Sequence, residues 1–468
     1  MAEQLRDVVV VLPGIMGSVL RDSHGDDVWK LSAGSILKGV LGRGKAIKRL
    51  QLPDGIGDDH PGDGVTATAL MPDMHVVPGI WTVTVGYERL VAWFRDSFDV
   101  VEADPRDPDR VVNFVQFPYD WRLSNRYNAR VLQQTVEPVL ERFRNQPGNA
   151  DARLVLIGHS MGGLVASYYV DVLGGHEVTG KVITLGTPHR GALNALVSLV
   201  NGVRKGIGPI GFDLTDLARS LPALFQLLPE YACIDTGRAL QKTTETSLPE
   251  LNATMVADAM RFHEELRAGA ASHADAYTSH PILARTQPTD TTARIVGGTV
   301  EALRTLRTDT GDEDQKGDGT VPRLSAAPYG VASNSPTLRY VMDKHGALPK
   351  NEPALVELGG VLTGTSSIPR GGVPIPIGVI ADEVLLAGEP LAVMIESEPG
   401  RRIAASVVEE ATGTEVRGAV VEQGDGDFAT SFADLRPGFH ELRVGLADDP
   451  ATEHVVTPFV VLEPEGAT

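Results

Sequence analysis

The stretch Leu154-Val155-Leu156-Ile157-Gly158-His159-Ser160-Met161-Gly162-Gly163-Leu164-Val165-Ala166 decides the fold. An apolar strand runs straight into Gly-His-Ser-Met-Gly-Gly, and a helix-compatible run follows. A serine on a tight strand-to-helix turn, with glycine two residues to either side, reads as a nucleophile elbow. Side chains at 158 and 162 would collide with neighbouring backbone. The turn lifts the Ser160 hydroxyl above the sheet and points the Met161 N–H at a reacting oxygen. The five-residue pattern alone is weak, and a glycine-rich turn that merely contains serine is the bland alternative. The flanking strand and helix favour the elbow.

Outward from the elbow, strand and helix alternate. Val8–Leu12 is a short apolar strand ending at Pro13-Gly14-Ile15-Met16-Gly17-Ser18, and Trp81–Val85 reads as another. Tyr87–Phe98 is an amphipathic helix with Leu90, Val91, Trp93 and Phe94 on its apolar face. Val111–Phe117 is a strand leading into Pro118-Tyr119-Asp120-Trp121-Arg122, and a helix runs from Asn128 to about Arg144, stopped by Pro147-Gly148. After the elbow comes the strand Lys181–Leu185. This order predicts an α/β fold: a mostly parallel, doubly wound sheet with helices on both faces, whose catalytic groups sit beyond the carboxyl ends of the strands.

The alternation lapses after Gly191. Residues 193–291 read as an inserted helical cap, with Ser220–Pro229 markedly apolar. The sheet is expected to resume with Ala293–Gly297 and Leu338–Met342, and a helix from Glu352 to about Val361 closes a domain spanning 1–366. From 371 to 468 short alternating runs between turns predict an all-β, immunoglobulin-like sandwich with no cysteine pair and no evident chemistry.

Composition narrows the function. A net charge of −19 over 468 residues disfavours nucleic-acid binding and broad adsorption to anionic membranes. One basic segment, Lys38, Arg43, Lys45, Lys48 and Arg49, breaks the trend. Its alternatives are a solvated loop and a transient contact with a lipid surface. The glycines between its charges weaken a helix and favour the loop. The single cysteine, Cys233, forms no intramolecular disulfide. No charged-then-apolar leader and no membrane-length apolar run is evident, so a soluble cytoplasmic protein is expected.

A serine nucleophile needs a base, and the base an orienting carboxylate, in the chain order Ser, acid, His on this kind of sheet. Gly317-Asp318-Gly319-Thr320-Val321-Pro322 sets one acid between glycines, and Lys344-His345-Gly346 follows 27 residues later, just past a strand. Asp312, Glu313 and Asp314 are rival acids, but a charge run is usually a solvated face. Among twelve histidines, His345 has the position of a general base. His159 sits beside the serine with its ring expected to point away. The oxyanion needs two N–H donors. Met161 is one, and Ile15 the other, with Met16 as second option. Met16, Asp120, Trp121, His189, Leu224 and Phe225 are assigned to the substrate side. For Asp120 and Arg122 a structural ion pair is the preferred alternative, and for the apolar cap ordinary packing weighs as much as an acyl pocket. No metal-ligand cluster is evident, and the chemistry needs no cofactor.

Taken together, Pro13–Ser18, Pro118–Arg122, Gly158–Gly163, Gly317–Val321 and the Leu221-Pro222…Leu228-Pro229 segment resemble the lecithin:cholesterol acyltransferase family of α/β-hydrolases, which includes lysosomal phospholipase/transacylases. The resemblance implies nucleophile Ser160, acid Asp318 and base His345, and a lipid or other acyl-ester substrate. It does not extend to the β-domain, whose partner it leaves unnamed. The expected protein is a serine esterase, lipase-like hydrolase or O-acyltransferase working through an acyl-Ser160 intermediate. The rivals are an esterase for small non-lipid esters and a silent hydrolase-fold binding protein.

Overall fold

The computed structural model describes residues 3–30, 49–72, 86–104, 106–107, 109–205, 212–248, 250–273, 275–331, 335, 338–364, 376–448 and 454–463. Most of the basic segment (Lys38 to Lys48) and the run Trp81–Val85 lie outside these residues.

Among the described residues six strands form the central sheet: β1 (Val8–Leu12), β2 (Phe114–Gln116), β3 (Leu154–His159), β4 (Thr179–Leu185), β5 (Thr278–Ala284) and β6 (Arg339–Val341). Their spatial order is β6-β5-β4-β3-β1-β2, and every neighbouring pair is parallel. The chain runs from β1 outward to β2, then returns to the other side of β1 to lay down β3. Ligand crevices in open parallel sheets form where the strand order reverses. Here that point is the carboxyl ends of β1 and β3, which carry the Pro13–Ser18 loop and Ser160.

The strands are apolar without interruption because both faces are covered. Alternation divides each between two cores: Val8, Val10 and Leu12 face one, Val9 and Val11 the other. Helices α1 (Glu88–Ser97) and α8 (Glu352–Thr363) cover the second face with Leu90, Phe94, Leu355 and Leu358. Helices α2 (Asn125–Arg144), α3 (Met161–Asp171) and α7 (Ala253–Ser272) lie on the first. Helix α2 begins at Asn125, earlier than the expected Asn128. The Ser124 hydroxyl accepts from the Tyr127 N–H and caps it there.

The interval 193–291 differs from the expected helical cap. It holds α4 (Leu193–Asn201), α5 (Thr215–Ser220), α6 (Pro222–Phe225) and α7, but also β5, a strand of the central sheet between β4 and β6. Pro281 hides this strand in the sequence, because proline is rare inside sheets. It is tolerated here because β6 pairs with β5 only from Ile282 onward, while β4 pairs from Thr278. Conversely, Thr292–Val296 does not resume the central sheet. It joins Thr299–Leu303, Ile234–Asp235 and Leu240–Gln241 in a separate four-stranded sheet. No described helix is long and apolar enough to cross a membrane.

Beyond residue 376 two further sheets face each other. One has the order β7 (Gly378–Ala381), β9 (Leu391–Glu396), β13 (Asp427–Phe432), β12 (Val421–Gly424). The other runs β8 (Val384–Leu386), β15 (Val455–Leu462), β14 (Gly438–Leu446), β10 (Ile403–Glu409), β11 (Glu415–Gly418). All pairings are antiparallel except β8 with β15. In β9, Leu391, Val393 and Ile395 are buried while Ala392 and Met394 are exposed, the alternation of a sandwich strand.

Candidate active site

Ser160 joins β3 to α3 with φ 51° and ψ −126°, a strained backbone for a side-chain-bearing residue. The surroundings dictate it. The Ser160 N–H donates to the Leu185 carbonyl at 2.9 Å, and its own carbonyl accepts from Gly163. A Cβ on Gly158 would lie 2.5 Å from the Gly163 Cα, and one on Gly162 would overlap the Pro13 carbonyl. Those glycines let the β1 loop lie directly on the elbow. Gly14 is so close that an added Cβ would stand 3.0 Å from the Ser160 Cβ.

Ile15 and Met16 are the central residues of a turn closed by the Gly17 N–H to the Gly14 carbonyl at 3.0 Å. Met16 has φ 62°, which a turn with a left-handed third residue demands. Met161 opens helix α3 and is wholly buried.

Three side chains stand in series. His345 Nε2 is 2.8 Å from Ser160 Oγ, and His345 Nδ1 is 2.7 Å from Asp318 Oδ2. All three are buried. The second oxygen of Asp318 accepts from the Thr320 and Val321 amides at 2.9 and 2.6 Å, which fixes the carboxylate plane. The two loops are also joined through backbone, His345 N–H to the Asp318 carbonyl at 2.8 Å. His345 opens a 3-10 helix (His345–Lys350). The rival acids Asp312, Glu313 and Asp314 are exposed on the hairpin strand Gly311–Asp314.

His159 points away from the serine hydroxyl and into a second network. The Gly14 N–H donates to the Tyr87 hydroxyl at 2.7 Å, and that hydroxyl is 2.8 Å from His159 Nδ1. The His345 carbonyl facing the other ring nitrogen can only accept, so in the neutral ring Nδ1 is the acceptor and the Tyr87 hydroxyl donates to it. The His159 proton is then on Nε2, which donates to the His345 carbonyl at 3.1 Å. Burial, with His345 adding to it, lowers His159 to about 3, so the ring stays neutral. The residue before Ser160 thus links the β1 loop to the backbone of His345.

The substrate-side residues divide. Asp120 and Trp121 have protein partners, and for Asp120 it is the ion pair with Arg122, the preferred reading. Both Asp120 oxygens are taken by the fully buried Arg122 guanidinium at 2.7–3.2 Å, and Arg122 also pairs with Asp63 at 2.8 Å. Trp121 is wholly buried, packs edge-on against Trp29 at 5.1 Å and donates to the Ser18 carbonyl. Leu224 and Phe225 on α6 are buried in the same apolar cluster as Ile15, Met16 and Met161, so cap and elbow share one core. His189 is buried with its Nε2 unpartnered among the described residues, and burial lowers it to about 3.

Several residues of the site carry no readable motif. Gly186 adopts φ +58°, and a Cβ there would lie 2.9 Å from Asp318 Oδ2 and 3.1 Å from His345 Nδ1. Its only signal is its place at the end of β4. Tyr87, 72 residues before His159, has none. Among the described residues no cluster of three or more His, Cys, Asp or Glu side chains could hold a metal.

Residues 108–288 match the family model of lecithin:cholesterol acyltransferase. The matched stretch runs from before β2 to just past β5, so it contains the elbow and most of the cap. Asp318, His345 and the β1 loop lie outside it. Among solved structures, the chain is similar to the lipase BlEst2 of Bacillus licheniformis in propeptide form, at 11% identity, 94% of this chain, 72% of that chain and a TM-score of 0.37. The mature form of that lipase matches at 12% identity, 78% of this chain, 93% of that one and 0.35. The Lin-41 filamin domain matches at 11% identity over 18% of this chain and 90% of its own, at 0.16. At such scores the fold rests on the strand order itself. No curated protein matches the chain.

Proposed function

We propose that this chain is a serine carboxylic-ester hydrolase or O-acyltransferase acting on lipid esters through an acyl-Ser160 intermediate. One observation carries the proposal: the unbroken Ser160–His345–Asp318 hydrogen-bonded series, with spacings of 2.8 and 2.7 Å, at the carboxyl-terminal rim of the sheet.

In this reading His345 Nε2 takes the Ser160 proton as Oγ attacks the ester carbonyl carbon. Asp318 holds the Nδ1 proton, selecting the tautomer and stabilising the imidazolium. The carbonyl oxygen becomes an oxyanion held by the Met161 and Ile15 amides, a contribution worth about 10²–10³ in turnover per donor. Collapse of the tetrahedral adduct breaks the ester C–O bond, and His345 returns its proton to the leaving alkoxide. Water or an acceptor alcohol then gives its proton to His345 and attacks the acyl-enzyme. The acid or a new ester is released, and Ser160 recovers its proton. The family match and the markedly apolar cap, buried in one cluster with Ile15, Met16 and Met161, support a lipid acyl group over a small one.

Hydrolysis of p-nitrophenyl esters of increasing chain length tests the substrate class. Rates that rise from two carbons towards eight or more are expected, and a maximum at two carbons would favour the small-ester reading. Mass spectrometry of a lipid extract incubated with and without added alcohols separates hydrolysis from transfer. New esters indicate transfer, and free acids alone indicate hydrolysis.

A further inference from the structure

The acid and the base of this site are each tied to the C-terminal sandwich. On the acid side the tie is Gln287. Its backbone exchanges two hydrogen bonds with Gly317, the residue before Asp318, at 3.0 Å each. Its carbonyl also accepts from Thr289 Oγ1, which in turn accepts from the Gly319 N–H, both at 2.9 Å. The buried side chain of this same residue reaches into the sandwich. Nε2 donates to the Ile377 carbonyl, and Oε1 accepts from the Val379 N–H on β7, both at 3.0 Å. Next to Asp318's loop, Lys316 pairs with Glu396 of β9 at 3.5 Å.

On the base side the tie is Asp343, two residues before His345. Its Oδ1 accepts from the Lys344 N–H at 2.8 Å and from the Val456 N–H of β15 at 3.3 Å. Its Oδ2 accepts from Asn351 Nδ2 at 3.1 Å, and Asn351 caps α8. Burial raises the Asp343 carboxyl to about 7. Lys344 is buried too, and the charges that offset its burial are Glu383 of the sandwich and Asp343. At the end of the 3-10 helix, Lys350 pairs with Glu441 of β14 at 3.6 Å.

The central sheet supplies little of this support itself. His345 follows β6, a three-residue strand that among the described residues lies at the sheet edge and pairs only with β5. We infer that the sandwich is a working part of the catalytic apparatus: through the positioning residues Gln287 and Asp343 it holds the acid and base loops in register with each other. The inference rests on the Ser160–His345–Asp318 reading above. A displacement of about 1 Å in such a constellation costs about 10²-fold in rate.

The test uses the full-length chain and counts competent sites by fluorophosphonate titration. Asp343→Asn turns an amide donor towards the Asn351 donor. Val456→Pro deletes only the N–H on the sandwich side, in a strand that already carries Pro458. Gln287→Glu keeps the acceptor for Val379 and loses the donor to Ile377. Each is expected to lower kcat per titrated site about 10- to 10²-fold with KM for p-nitrophenyl butyrate changed by less than about twofold. Arg402→Ala, which breaks an exposed sandwich ion pair, leaves both unchanged. Should Val456→Pro fail to fold, Asp343→Asn and Gln287→Glu decide. Wild-type kcat per site in these two variants overturns the inference, as does a loss confined to the number of titratable sites. A wild type that takes no label overturns the hydrolase reading itself, and this inference with it.

Discussion

The two halves of the site are built differently. The half with the proposed nucleophile, Ser160 with the Gly14–Gly17 turn, hangs on two adjacent central strands, β3 and β1, and backbone sterics shape it. Gly158 and Gly162 permit contacts that any Cβ would block, and a Cβ on Gly14 would crowd the Ser160 Cβ. The charge half, Asp318 and His345, emerges from a loop and an edge strand and is braced from outside the sheet. A nucleophile can be positioned by local geometry, whereas an acid–base pair needs two distant loops held at a fixed separation.

The largest effect belongs to the nucleophile half. Ser160→Ala should reduce kcat for p-nitrophenyl butyrate by about 10⁶-fold, and Asp318→Asn by about 10⁴-fold through the wrong histidine tautomer. Comparable losses from both would mean that the halves act as one unit. A Ser160→Ala enzyme with substantial turnover would remove the elbow from the chemistry. At the seam between acid and base, Gly186→Ala forces a Cβ against both Asp318 and His345 at a left-handed φ. It should lower kcat about 10²-fold. Steady-state kinetics on titrated enzyme would show whether KM stays put.

Smaller effects probe what joins the halves. Tyr87→Phe leaves the Gly14 N–H and His159 Nδ1 without their partner. It should cost about 1–3 kcal/mol of stability per stranded group in urea unfolding.

The pH dependence of stability has opposite signs in the two halves. Buried neutral His159, lowered from 6.5 to about 3, contributes stability that is fully present above pH 6.5 and lost as pH falls towards 3. Asp343, raised from 3.8 to about 7, contributes stability that is fully present below pH 3.8 and lost as pH rises through 7. Asp343→Asn should therefore flatten the decline between pH 4 and 7, and urea unfolding across that range would show it. An unchanged slope would mean that Asp343 does not titrate there.

Legibility in the sequence follows the same division. The elbow, the β1 loop, Asp318 and His345 are adjacent to strands or glycine turns and leave local patterns. Strand β5 is obscured because Pro281 suits only a strand that is still an edge at that point, a fact set by where β6 begins. Gln287 is invisible because its partners lie 30 residues away at Gly317 and 90 or more at Ile377 and Val379. Tyr87 works through a hydroxyl whose partners lie 73 residues before it and 72 after. Asp120 pairs with Arg122, the preferred reading of that motif, while Trp121 beside it is wholly buried core. A polar residue in a motif carries no mark of whether its partner is substrate or protein.

The central claim is that Ser160 is the activated nucleophile. Fluorophosphonate labelling followed by peptide mapping in a mass spectrometer tests it most directly. The account predicts one adduct per chain, on the Ser160 hydroxyl, absent from Ser160→Ala and slowed in Asp318→Asn. A folded wild-type protein that takes no label, or takes it on another residue, would contradict it.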